Sequence, residues 1–172
     1  MIQDEISSDI NSLNELNKKY IWLPNQDTIR PTQTDLVRKY FLNNTIQTEW
    51  KSMKDFIQSS VFKKQYLFDE NNKKYVEDQN YVEEWLFEPS MFRYNLPSSA
   101  RHYILWNNKH NFFENYDSKK INEILKVVIF DILGHHNYDF AWYKNPKPTV
   151  PEFYHIQVFW IDLNTFDVVN CI

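Results

Sequence analysis

Hydrophobic order along the chain begins near Leu16, after a polar stretch with no periodic pattern that predicts a mobile tail over residues 1–15. Lys19-Tyr-Ile-Trp-Leu-Pro24 is short, aromatic and β-branched, which predicts a strand stopped by Pro24 and followed by a polar loop to Thr34. Leu36, Val37, Tyr40 and Phe41 fit a short helix and a twisted strand equally well. Beyond Thr45, an N-cap residue type, Ile46, Trp50, Met53 and Ile57 recur at helical spacing, and the pattern predicts one amphipathic helix over 46–62. Lys63 to Asn80 is polar and reads as an exposed connection with room for a weak hairpin, and Tyr81 to Phe87 reads as extended.

The second half is more sharply patterned. Arg101-His-Tyr-Ile-Leu-Trp106 predicts a strand with His102, Ile104 and Trp106 on one face and Tyr103 and Leu105 on the other. Ser118 to Leu133 predicts a helix, capped by Asp117 or Ser118, lined by Ile121, Ile124, Leu125, Val128 and Ile132, and closed by Gly134, the single glycine. Two strands follow, Phe140 to Lys144 and Tyr154 to Trp160, joined by a stiff connection that holds Pro146, Pro148 and Pro151. Strand, ambiguous element, helix, strand, strand, helix, strand, strand is an α+β order, and an antiparallel sheet with helices packed on one face is its natural solution, as one domain over 16–172.

Composition narrows this picture at three points. At 172 residues, with 42% hydrophobic and 24% charged side chains, the chain is long enough to bury a core without staples. One cysteine, Cys171, makes neither an internal disulfide nor a cysteine-rich zinc site. A net charge of −4 argues against broad binding along a phosphate backbone, although a local basic site remains compatible with it. With an acidic start and no apolar run of membrane-spanning length, the expected setting is cytoplasmic, without a membrane partner. The abundance of Asn, Ile, Lys, Phe and Tyr, all with AT-rich codons, points to an AT-rich genome such as that of a large virus, plasmid or parasite.

The chain has no glycine-rich phosphate loop and no nucleophile elbow, which favours a binder over an enzyme, and no cofactor is expected. His135-His136 after the long helix suit its negative terminus better than a metal. His102 and His155 each open an apolar strand and would form an acid/base pair if those strands were neighbours. Aromatics reach 17%, and Trp22, Trp85, Phe92 and Trp160 lie near breakers or strand ends, where rings are placed to sandwich a planar base. Arg101, Lys144 and Lys147 stand at strand ends as a candidate phosphate grip.

These spacings resemble the eukaryotic translation initiation factor 4E family, the mRNA cap-binding proteins, in a divergent and C-terminally shortened form. Leu16-Asn-Lys-Lys-Tyr20-Ile-Trp22-Leu resembles the family's Leu-x-x-x-Trp-x-Leu-Trp strand, and Thr45 to Trp50 keeps the spacing of its first helix. Glu88-Pro-Ser-Met-Phe92 resembles its Glu-Pro-x-Trp box, Ser99-Ala-Arg101-His102 its Gly-Gly-Arg-Trp strand, and Ile132-Leu-Gly134-His the end of its Leu-Ile-Gly-Glu helix. Tyr143-Lys144-Asn-Pro-Lys147 and Phe159-Trp160 resemble its last basic turn and Trp. The resemblance implies a curved antiparallel sheet with helices on its convex face, and a 7-methylguanosine nucleotide stacked on Phe92 with Trp22 or Trp85 as the second ring. Glu84 or Glu88 would read the base edge, because Arg93 occupies the family's acid position. Arg101, Lys144 and Lys147 would hold the phosphates of capped mRNA during translation initiation, while Trp50, extended by Met53 and Ile57, would dock a scaffold initiation-factor-like protein.

A second likeness competes. Glu49-Trp-Lys-Ser-Met53, His102-Tyr-Ile-Leu-Trp106, Trp142-Tyr-Lys-Asn145 and Tyr154-His-Ile-Gln-Val158 are similar to a fungal family typified by an N-acetylglucosamine-induced protein of unknown role. It leaves open an enzyme or binding protein that uses His102 and His155 on a phosphorylated or sugar-nucleotide ligand.

Overall fold

Most segments of clear periodicity become regular elements, and the helix expected over 46–62 is the one that folds differently. The computed structural model describes residues 31–77, 82–94, 96, 98–144 and 148–165, so the tail, the strand at 19–24, Trp22, Lys147 and Cys171 lie outside the described residues. The ambiguous segment is helical: α1 spans Thr32–Tyr40 and continues as a π-helical stretch, Phe41–Ile46, and one α turn, Gln47–Glu49. Thr45 therefore lies inside a helical stretch and caps nothing, and the helix expected over 46–62 is two pieces. The break comes at Trp50, which is extended (φ −114°, ψ 147°) and bridges Lys74. Ser52 then caps α2, Met53–Ser60, by accepting a hydrogen bond from the Asp55 amide at 3.1 Å. Spacing alone missed this break because both pieces turn the same apolar stripe inward.

The polar connection does hold a small antiparallel hairpin, β1 (Leu67–Phe68) with β2 (Lys74–Tyr75). Its turn is organised by Asp69, whose carboxylate accepts from the Asn71 and Lys73 amides, both at 2.9 Å. The buried Asp55 carboxylate accepts from the Val76 amide at 2.8 Å, tying this hairpin to α2.

The main sheet contains β3 (Trp85–Pro89), β4 (Ala100–Asn107), β5 (Tyr138–Tyr143) and β6 (Tyr154–Asp162). Its order is β3-β4-β6-β5 with every neighbouring pair antiparallel, so the fold is α+β. Helix α3 spans Ser118–Leu133, with Asp117 as N-cap and Gly134 in the left-handed region (φ 73°), where a side chain costs conformational energy.

Strand alternation sorts the side chains. On the first face, Leu105, Ile156, Val158, Trp160 and Trp142 form a core with Ile121, Leu125 and Ile129 of α3. On the second face, Leu86, Ile104 and Trp106 pack with Met53, Phe56 and Ile57 of α2, and Ala100, Ala141, Phe159 and Ile161 pack with Tyr94. Helices thus cover both faces, which corrects the expectation of helices on one face only. The reason lies in β4 and β6, which are apolar at odd and even positions alike, so each face needs a cover.

Candidate functional site

The second face carries an unusual row of polar groups among apolar ones. His102, His155 and Gln157 are 5%, 5% and 7% exposed, and all project from this face. A buried polar group costs about 1–3 kcal/mol unless it is hydrogen-bonded, so the bonds these three make determine their chemistry. The Tyr94 amide donates to His102 Nδ1 at 3.2 Å, which makes Nδ1 the unprotonated nitrogen. Nε2–H then donates to Gln157 Oε1 at 2.7 Å, leaving the Gln157 amide nitrogen with its two donors aimed away from His102. Beside them the Tyr94 and Tyr143 hydroxyls share a hydrogen bond of 2.8 Å, and Phe159 stacks against the rings of His102 and Tyr143.

His155 is held separately. Its Nδ1 faces the Phe153 carbonyl at 2.9 Å and must carry the proton, so Nε2 bears the lone pair. Burial pushes its pKa below the ordinary value, more strongly than the Phe153 carbonyl raises it, and the nearby Lys144 charge lowers it further. The ring packs on Trp106 and Phe112. His102 and His155 are therefore on one face but not in one pair: His155 sits opposite Trp106, four positions along β4 from His102 and about 13 Å away.

The residues expected to stack a base and grip phosphates are dispersed. Phe92 and Glu88 reach the second-face side: Glu88 sits opposite Ile104, and the Phe92 ring lies 5.6 Å from Phe41, which meets Phe56 of α2 at 5.1 Å. Trp85 instead points to the first face, edge-on to Tyr116 at 5.0 Å and Tyr154 at 5.9 Å. Trp160 is 4% exposed in the first-face core, so it offers no stacking platform. Arg101 pairs across the strands with Trp160, whereas Trp85 pairs with Asn107 at the far end of β4, about 20 Å away. Lys144 lies at that far end: its ammonium donates to the Glu114 carbonyl at 3.1 Å and covers the Phe112 and Tyr154 rings. Arg101 and Lys144 do not form one phosphate grip.

The partner strip is corrected as well. Trp50 is 7% exposed, edge-packed on Phe56 and Tyr66 with the Lys74 ammonium 5.4 Å from its ring. Ile57 is 5% exposed and Met53 packs beside it against the sheet, so the strip faces inward.

A separate ionic cluster joins the segment before β3 to the loop after β4. His110 contacts Glu114 and lies 3.6 Å from Glu83. Glu83 accepts from Asn107 at 3.0 Å, which holds its carboxyl below the usual range, and burial with the neighbouring carboxylates pushes the Tyr116 hydroxyl well up. His135 lies 3.5 Å from Asp162 and His136 stacks on Phe130. Among the described residues, no three His, Cys, Asp or Glu side chains converge on a metal position, and no helix is long and apolar enough to cross a membrane.

Gln157, Tyr94 and Tyr143 were not singled out from the sequence. For Gln157 a signal existed, since His155, Gln157 and Phe159 alternate within an apolar strand and a glutamine in that register is buried. Comparison with known proteins names no family: no family model and no curated protein matches the chain. Among solved structures, the crystal structure of HTC1 aligns over 91% of this chain and 91% of that one, at a TM-score of 0.42 and 11% identity.

Proposed function

We propose that this chain binds a phosphorylated, nucleotide-class small molecule on the second face of its sheet. The observation that carries the reading is the row His102, Gln157 and His155, three buried polar side chains of fixed hydrogen-bonding sense on one face of neighbouring strands. The resemblance to the initiation factor 4E family adds a base-stacking part, because Phe92 and Glu88 reach the same side. Under it, the leading ligand is the 7-methylguanosine cap of mRNA, and the protein acts in translation initiation in the cytoplasm as a binder rather than an enzyme. The curvature of a cap-binding sheet and a scaffold protein as partner belong to the same reading, with the partner placed elsewhere than on the buried Trp50 strip.

A sugar nucleotide is the second reading. It is favoured by the Gln157 carboxamide, whose nitrogen turns its donors away from His102 and is a neutral donor suited to a sugar hydroxyl. Tryptophan-fluorescence titration with 7-methyl-GTP, GTP, ATP and UDP-glucose tests both. Quenching selective for 7-methyl-GTP supports the cap, because only the methylated base is cationic. Equal quenching by the purine nucleotides supports a general nucleotide site, and a response to UDP-glucose alone the second reading. No response to any of them at millimolar concentration, in a sample that unfolds cooperatively, rejects the proposal.

A further inference from the structure

The small β1–β2 hairpin sets exposed rings beside lysines. Tyr66, Leu67 and Phe68 are 43%, 48% and 55% exposed at consecutive positions entering and forming β1. Tyr66 and Phe68 lie on the same side of the strand with ring centroids 5.7 Å apart, and Tyr66 meets the buried Trp50 edge-on at 5.5 Å, which gives the outer rings a fixed floor. Lys74 stands opposite Phe68 in the register, with its ammonium 5.5 Å from the Tyr66 ring and paired with Glu49 at 2.9 Å. Residues 50–76 carry six lysines and three carboxylates, in a protein of net charge −4. Of those carboxylates Asp55 is buried, and Asp69 is engaged by the amides of its own turn. Lys63 and Lys73 donate to the Ser60 and Gln47 carbonyls at 2.6 and 2.8 Å, and the Lys51 ammonium lies 5.2 Å from the Tyr75 ring. Among the described residues these three lysines meet no carboxylate, and a carbonyl or a ring leaves the ammonium charge uncancelled and donors open.

We propose that this hairpin surface binds single-stranded RNA, with bases stacked against Tyr66 and Phe68 and phosphates held by Lys51, Lys63 and Lys73. The rings decide between nucleic acid and an acidic peptide: carboxylates need only the lysines, whereas every base has a π-face to set against an exposed ring. A duplex fits the surface badly, because its bases are already stacked on one another. The acidic remainder of the chain confines the contact to a few nucleotides rather than a long track along the backbone.

This inference goes beyond the nucleotide reading and is tested without it, by fluorescence anisotropy of the full chain with labelled, uncapped decauridylate and decaadenylate. Duplex RNA of the same length and polyglutamate are run beside them. Both single strands should bind, with affinity falling about 20-fold between 50 and 200 mM salt, as three phosphate contacts require. Phe68→Ala should weaken binding by about 5–100-fold, the loss of one stacked base, and duplex and polyglutamate should bind at least about 10-fold more weakly than the single strands. The Phe68 side chain is more than half exposed, so that variant keeps its fold, which thermal unfolding checks. Lys63→Gln combined with Lys73→Gln removes charge without touching a ring and should flatten the salt dependence. Absence of single-strand binding at 50 mM salt, binding indifferent to Phe68→Ala, or equal binding of polyglutamate overturns the proposal, and the last of these assigns the surface to acidic peptides. In each case the response to 7-methyl-GTP, and with it the nucleotide reading, is judged separately.

Discussion

Replacing His102 with phenylalanine isolates the bonds that organise the polar row. The ring remains against Phe159, now 4.8 Å away at an interplanar angle of 22°, so packing is largely conserved. Both nitrogens disappear, so Gln157 Oε1 loses its donor and the Tyr94 amide loses its bond to Nδ1, on a face where these residues are 7% and 6% exposed. An unmet buried oxygen costs about 1–3 kcal/mol and a lost hydrogen bond about 0.5–1.5 kcal/mol, so the variant should lose about 1.5–4.5 kcal/mol. For a chain of this length that lowers Tm by roughly 3–18 °C. Urea and thermal unfolding at pH 7.5, followed by circular dichroism, read the loss directly. A phenylalanine variant within about 0.5 kcal/mol of the parent would refute the reasoning, because the relay would then hold nothing in place.

Other consequences follow from particular contacts. Trp50→Ala should cost about 3–5 kcal/mol in denaturant unfolding, because the ring is buried between Phe56 and Tyr66; a loss below about 1 kcal/mol would mean it is not a core residue. Gly134→Ala should cost about 1 kcal/mol for conformational reasons alone, since no atom lies within 4 Å of the added Cβ; an unchanged urea midpoint would contradict the left-handed cap. The depressed pKa of His155 sets a pH dependence: its contribution is complete above the unfolded value of about 6.5 and is lost as pH falls through the folded value. Urea midpoints should therefore drop between pH 7 and 5 in the parent and drop less in His155→Phe, and equal slopes would exclude His155 as the source.

The sequence made legible those elements in which one signal dominates. Asp117, the Ile121-Leu125 stripe and Gly134 define α3 from cap to cap, and the alternation in Arg101 to Trp106 orients β4 correctly. The break at Trp50 was hidden because it comes from a bridge to Lys74, a residue remote in sequence, rather than from a local breaker. Faces were readable within a strand, but which helix covers which face depends on long-range packing. Hence α2 on the second face was not anticipated. Sites proved hardest for the same reason. Trp85 and Trp160 have the residue type for stacking a base, yet register sends both into the first-face core, whereas the pairing of His102 with Gln157 spans 55 positions and needs the order β4-β6 to appear.

The central claim is that a nucleotide-class ligand meets the second face of the sheet. Side-chain ¹⁵N–¹H spectra of the full chain, recorded during titration with 7-methyl-GTP and then UDP-glucose, test it directly, because the reporters are divided between the faces. Gln157 and Trp106 report on the second face, and Trp142 and Trp160 on the first. The account predicts saturable shifts of the Gln157 carboxamide and the Trp106 indole, with Trp142 and Trp160 unmoved. Shifts confined to Trp85, Trp142 or Trp160, or none with any of these ligands, would contradict it.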